Sequence, residues 1–372
     1  MTKFDVSPKR SLRDLMPGNL DTSSSEQHVQ LPVALGPETP GAPQLPWARG
    51  PLSDVVISAL RRTPGTLGST PSVVGVDALR DDDFALALYL CYEVHYREWA
   101  DANWEWDLGL LGFRAEMERV FLDRLLDVVP SSAPESASDT VAALDDLINS
   151  SSGPSLSTYL CETGTVEQLR EFCVHRSAYQ LKEADPHSFA IARLSGQAKA
   201  TMMEIQFDEY GSGEAASMHS TLFADTLTSL GLDSTYGSYV EILPAVTLAT
   251  VNLISMFALR RRWRGALVGH LAVFEMTSVT PMSRYSQALS RLGVGPEGRR
   301  FFDVHVQVDE RHASLARDRM VASLLDEEPH LGADVLFGAG ALLALEDRFA
   351  RSLLSAWSQD RSSLLSWQTD NP

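Results

Sequence analysis

The stretch FFDVHVQVDERHASLARDRM, residues 301–320, decides how this chain is read. It sets His305, Asp309 and His312 at i, i+4 and i+7. An α-helix turns by about 100° per residue, so the three side chains fall within roughly 60° on one face. Two imidazoles and a carboxylate on one stripe can point at one metal ion or at a pair. Val308 and Ala316 continue that side, so the stripe borders the core, where polar groups need partners.

A helical metal site takes its other ligands from facing helices, so acids inside apolar helical stretches come next. In AKATMMEIQFDEYGSG (198–213), Glu204 and Asp208 are i, i+4 among Met202, Met203, Ile205 and Phe207. In GALVGHLAVFEMTSV (265–279), Glu275 stands among apolar residues, where a charge is costly unless it is paired or binds a cation. His270 falls on another face, about 140° away. In EQLREFCVHRSAYQL (167–181), Glu171 and His175 are i, i+4 and form an auxiliary pair, with a solvated face an equally good reading. Glu93 and His95 are two residues apart and cannot chelate one ion from a regular helix.

Glu204, Asp208, Glu275, His305, Asp309 and His312 together give four carboxylates and two imidazoles. That oxygen-rich set suits a pair of iron or manganese ions better than zinc. It would leave open positions for O2 and a substrate in a pocket formed by Phe207, Phe274 and Met276. Templates for nucleotide binding, the serine-hydrolase elbow and the HExxH zinc helix are absent from the sequence.

Around this core the chain reads as helices joined by short loops, with no alternating strand pattern. The spacing predicts helices over residues 53–60, 81–100, 108–129, 140–148, 165–184, 189–210, 215–230, 239–259, 264–278, 283–292, 296–326 and 331–357. The class is all-α, a multi-helix bundle. Residues 1–50, rich in Pro, Ser and Gly, read as a disordered or extended arm. Residues 51–150 read as an N-terminal helical segment, able to shape the pocket or a dimer interface. Residues 151–358 read as the metal-binding domain and 359–372 as a tail.

Bulk properties set limits. The 372 residues carry a net charge of −18 and 44% hydrophobic residues, which argues for a folded chain without a nucleic-acid or anionic-membrane partner. The apolar run 239–259 is interrupted by Glu241, Pro244 and Asn252, so it reads as a core helix and not a span. Three cysteines and no signal-like N-terminus fit a reducing cytoplasm.

The HxxxDxxH pattern of His305, Asp309 and His312 resembles the haem-oxygenase-like di-iron oxidases and oxygenases, the bacterial iron-containing redox enzymes. EIQFDEYG (204–211), GHLAVFEMTS (269–278) and YEVHYR (92–97) strengthen the resemblance. It implies Glu275 as a ligand from the helix upstream, Glu204 as the first ligand of an earlier helix, and Glu171 as an auxiliary one. The family's second ligand on that earlier helix is often His. Here only Asp208 or Glu209 follows Glu204. The resemblance implies a haem-oxygenase-like fold, two ferrous ions, and O2 as co-substrate for oxidising an amino acid, amine or aliphatic acid in specialised metabolism. The competing readings are a haem protein using His95 or His175, and a metal-free helical protein that binds a small ligand.

Overall fold

The computed structural model describes residues 44–97, 99–129, 134 and 136–366. Residues 1–43 of the expected arm and 367–372 of the expected tail lie outside the described residues. Residues 44–48 carry no helix or strand, and that end of the arm is tied down: Trp47 N donates to Glu241 (2.7 Å) and Arg49 Nη2 to the Val240 carbonyl (2.7 Å).

The described residues form helices and no strands. In chain order they open with α1 (Pro51–Leu60), α2 (Asp82–Glu93), α3 (Leu108–Leu126), α4 (Ala137–Ser150) and α5 (Leu156–Glu162). Then come α6 (Val166–Gln180), the short α7 (Asp185–Ser188), α8 (Gly196–Glu209), α9 (His219–Ser229) and α10 (Ala245–Leu259). The last are α11 (Arg264–Thr277), α12 (Val279–Arg291), α13 (Pro296–Ser314), α14 (Ala322–Glu327) and α15 (Gly332–Trp357). Between α13 and α14 the helix does not stop: residues Leu315–Val321 form a π-helical turn.

Local chemistry sets the ends. The Asp81 carboxylate caps α2 by accepting from Phe84 N (2.8 Å). Thr165 and Gln168 form a capping box at α6. Helix α13 starts on Pro296, which lacks the N–H that a first turn leaves unused. Pro281 falls in the first turn of α12, so the helix read as starting at 283 starts at Val279.

Other expectations change as well: the helices read from 215 and 239 begin at His219 and Ala245. The helix read over 81–100 ends at Glu93, and a separate turn covers Ala102–Trp106. The helix read over 189–210 is a short 3-10 turn, Ile191–Arg193, followed by α8, because Gly196 at φ +51° starts a new helix. The helix read over 165–184 ends at Gln180, and Ala184 has φ +74°.

Two helices are buried on nearly every side. Phe84 to Glu93 of α2 is wholly buried, as is almost all of α10, so both are core helices. Helices α11 and α15 cross at backbone contact. A Cβ on Gly338 would fall 1.9 Å from the Ala266 carbonyl oxygen, and one on Gly269 would fall 2.0 Å from that of Val335. This crossing fixes the helix that carries Glu275. Helix α13 packs on α9, α11 and α12, with its His305–Asp309–His312 face turned inward. Among the described residues no helix is long and apolar enough to cross a membrane.

Candidate metal centre

Two groups of side chains converge where α8, α9, α11 and α13 meet the turn after α6. The first is Glu183, Glu209, His219 and His305, and the second is Glu209, Glu275, Asp309 and His312. Within each group the donor atoms lie within 4.8 Å of one another. Glu209 belongs to both.

The structure brings four of the sequence-read ligands into these groups: Glu275, His305, Asp309 and His312. It does not bring in Glu204. That side chain points outward and pairs with Arg311 and Arg319. The reason is helical phase. The buried face of α8 is Ala198, Thr201, Met202, Ile205, Gln206 and Glu209, so the acid on the apolar stripe is Glu209. Met203 and Phe207 are exposed, Phe207 at 54%, so Phe207 does not line a pocket here. Phe274 stacks on Tyr179 (5.7 Å between rings), and Met276 is half-buried against the core.

Asp208 stands just outside the groups. Its carboxylate is 3.1 Å from His312 Nε2, while His312 Nδ1 faces Glu275 (3.2 Å), Asp309 (3.6 Å) and Glu209 (3.8 Å). Asp208 therefore orients the imidazole from behind, as carboxylates do for metal-binding histidines. His305 is held in the same manner from its other side. Its Nδ1 donates to the Phe301 carbonyl (2.7 Å), leaving Nε2 toward Glu183 (3.8 Å).

Glu171 and His175 do other work. Glu171 accepts from Trp357 Nε1 (2.9 Å) and Ser362 Oγ (2.9 Å). His175 uses both ring nitrogens, toward Thr247 (2.6 Å) and Ser363 (2.9 Å), so neither is left for a haem iron. Together they latch residues 362–363 onto the bundle, and Leu365 N donates to the Ile242 carbonyl (2.9 Å). His95 is likewise engaged by Glu105 (3.2 Å) and Arg114 (2.6 Å).

The sequence reading missed Glu183 and His219. His219 opens α9, ten residues past Glu209, and supplies the histidine that was sought along the helix of Glu204. Its Nδ1 lies 2.7 Å from Glu209, and its ring packs 4.3 Å from that of His305.

These residues fit a pair of cations. Glu183 Oε2, His219 Nδ1, Asp309 Oδ1 and His312 Nδ1 are buried without a hydrogen-bond partner among the described residues, a costly condition that coordination relieves. The close contacts at His219 and His312 are off-line for hydrogen bonds, as expected of atoms aimed at a common third point. Four carboxylates balance the charge of two divalent ions, and the donors are oxygen and imidazole nitrogen with no thiolate, which suits iron or manganese.

Without the ions the acids are strained electrostatically. Burial, then the neighbouring acids, push Glu183 well above the carboxylate range, and burial raises Asp309 to about 6 against the pull of His305. Burial raises Glu275 to about 7, against the pull of His312. Burial works against charge on His312, but Glu275, Asp208 and Glu209 outweigh it and lift the imidazole to about 9. A raised pKa contributes stability below the unfolded value and loses it as pH rises through the folded one. For Glu275 and His312 that loss runs through about 7 and about 9 respectively. His219, lowered to about 4 by burial, titrates below this window in the folded chain. The metal-free protein should therefore melt lower at pH 9 than at pH 7. Saturating Mn(II) should narrow the gap, as calorimetric melts with and without metal would show.

Residues 170–347 match the family described as iron-containing redox enzymes. All seven convergent residues lie inside that segment. The matched segment is just under half of the chain. The all-α bundle around it is haem-oxygenase-like. The chain is also similar to nitrosourea synthase of Streptomyces achromogenes subsp. streptozoticus, at 25% identity over 216 residues, 57% of this chain and 46% of that protein. It spans about half the length of this relative. The domain's own match ends at residue 347, inside α15, so the glycine crossing of α11 and α15 belongs to it.

Proposed function

We propose that this chain is a non-haem di-iron oxidase that uses O2 to oxidise a small molecule: an amino acid, an amine or an aliphatic acid. The observation that carries the reading is Glu209, one carboxylate placed between two donor groups, as a bridge between two ions must be. The name of the Streptomyces relative, nitrosourea synthase, denotes a nitrogen-oxidised product and puts the amine first among these substrates.

Two ferrous ions held there would supply electrons to O2. The residues supply the rest. Glu183, His219 and His305 would hold one ion and Glu275, Asp309 and His312 the other, with Glu209 within reach of both. The Phe301 carbonyl and the Asp208 carboxylate keep His305 and His312 in the tautomers that present Nε2 and Nδ1. Burial, reinforced by Glu183, Glu209 and Glu275, keeps the Tyr179 phenol protonated far above neutral pH. That leaves a neutral O–H donor beside the acids. Phe223 and Phe301, packed at 5.1 Å behind His219 and His305, keep water from that side.

Anaerobic titration with Fe(II), followed by mixing with O2, tests the reading. Two irons bound per chain and a visible absorption change on mixing, with no Soret band, are expected. A chain that takes up no iron, or only one, overturns it.

A further inference from the structure

Glu183 is the one member of the two groups that stands outside a helix, in the hook that follows Gln180 and runs into α7. Ala184, 1% exposed, sits in that hook at φ +74°, ψ −32°. A residue with a Cβ rarely adopts this conformation and keeps it only where the surroundings over-determine it.

Three anchors surround it. Gln206 Nε2 donates to the Ala184 carbonyl (2.8 Å). Asp185 takes Arg97 (2.8 Å) and the Tyr210 hydroxyl (2.9 Å). Lys182 is fully buried against the fully buried Glu93 of α2, whose other oxygen accepts from Tyr236. The ammonium lies 4.2 Å from the ring centre of Tyr96 and 5.3 Å from that of Tyr89. This aromatic cage is filled by the chain's own cation, so it is no ligand site. A buried ion pair is also a weak source of stability, because desolvation offsets the attraction. What the pair does supply is direction. Lys182 is drawn into the cage while Glu183, next in sequence, faces His305.

We propose that Glu93 and Lys182 are positioning residues that, acting through the strained turn at Ala184, aim the Glu183 carboxylate at the His219–His305 side of the metal pair. This rests on the two-ion reading of the site.

The test is calorimetric titration of Mn(II) into the metal-free full-length chain, with melting curves alongside. Mn(II) suits the same donors and does not oxidise during the experiment. Ala184→Gly removes the Cβ penalty at positive φ, so the metal-free variant should melt at or above wild type. One of its two Mn(II) equivalents should nevertheless weaken by roughly 10–100-fold, the usual cost of losing an orienting contact. The neutral pair Glu93→Gln with Lys182→Met should weaken the same equivalent. In a Glu183→Ala background neither change should weaken binding further, because the group they orient is gone. Wild-type affinity for both equivalents in these variants overturns the proposal, and so does equal weakening of both. A wild-type chain that binds fewer than two ions overturns the two-ion reading and this proposal with it.

Discussion

Replacing Glu209 by alanine should remove tight binding of both ions of the proposed pair, while replacing Glu204 by alanine should leave it unchanged. Loss of an outer contact to a metal ligand typically weakens binding by roughly 10–100-fold, and loss of a shared ligand should exceed that for each ion. Glu204, five residues earlier on α8, pairs with Arg311 and Arg319 on the outside, so its loss changes only a surface ion pair. Unfolding does not explain the difference. Glu209 is a buried acid whose pKa is raised by burial, so alanine relieves the metal-free protein of a charge it holds poorly. The metal-free Glu209→Ala variant should therefore melt no lower than wild type. Bound metal after anaerobic loading, with melting curves of the same samples, decides the matter. Two ions retained by Glu209→Ala would remove the bridge from the mechanism.

The largest stability loss is expected at the crossing of α11 and α15. Gly338→Ala places a methyl group 1.9 Å from the Ala266 carbonyl oxygen, and backbone cannot swing aside as a side chain can. Overpacking of this kind costs about 3 kcal/mol. The helices must separate, and α11 carries Glu275, so metal affinity should fall together with the melting temperature. Gly112→Ala on the exposed side of α3 is the control. Its Cβ meets nothing within 4 Å, and alanine gains up to about 1 kcal/mol over glycine inside a helix. Denaturant unfolding of the two variants should move in opposite directions. A Gly338→Ala chain as stable as wild type would show that the crossing has room which the geometry denies.

The parts of the fold and site legible in the sequence are those governed by one helix at a time. The i, i+4, i+7 spacing puts His305, Asp309 and His312 on one face wherever α13 packs. An acid amid apolar residues marks Glu275 for the same local reason. The all-α class follows from helical periodicity and the lack of alternation. What escaped depends on phase or on non-helical backbone. Glu204 and Asp208 share a face, but only the buried stripe through Met202 and Ile205 shows that the inward acid is Glu209. That stripe was readable at spacings of four and seven residues. His219 lies beyond an irregular stretch that includes Gly211 at φ +66°, so no periodicity links it to α8. Glu183 sits in a hook whose key residue is an alanine with positive φ, a conformation that nothing in the residue type announces. The Lys182–Glu93 pair joins residues 89 apart and leaves no local signal.

The π-helical turn over Leu315–Val321 has a wider meaning for how this helix is built. Each hydrogen-bonded ring there closes over one residue more than in an α-helix. Everything beyond it is thus rotated by about 100° from where unbroken α geometry would place it. The ligand-bearing half, α13, keeps register with α9, α11 and α12, while α14 answers to α8 and α4. One continuous rod thus carries two independent phases, and drift in the scaffold half need not turn His305, Asp309 and His312 away from Glu209 and Glu275.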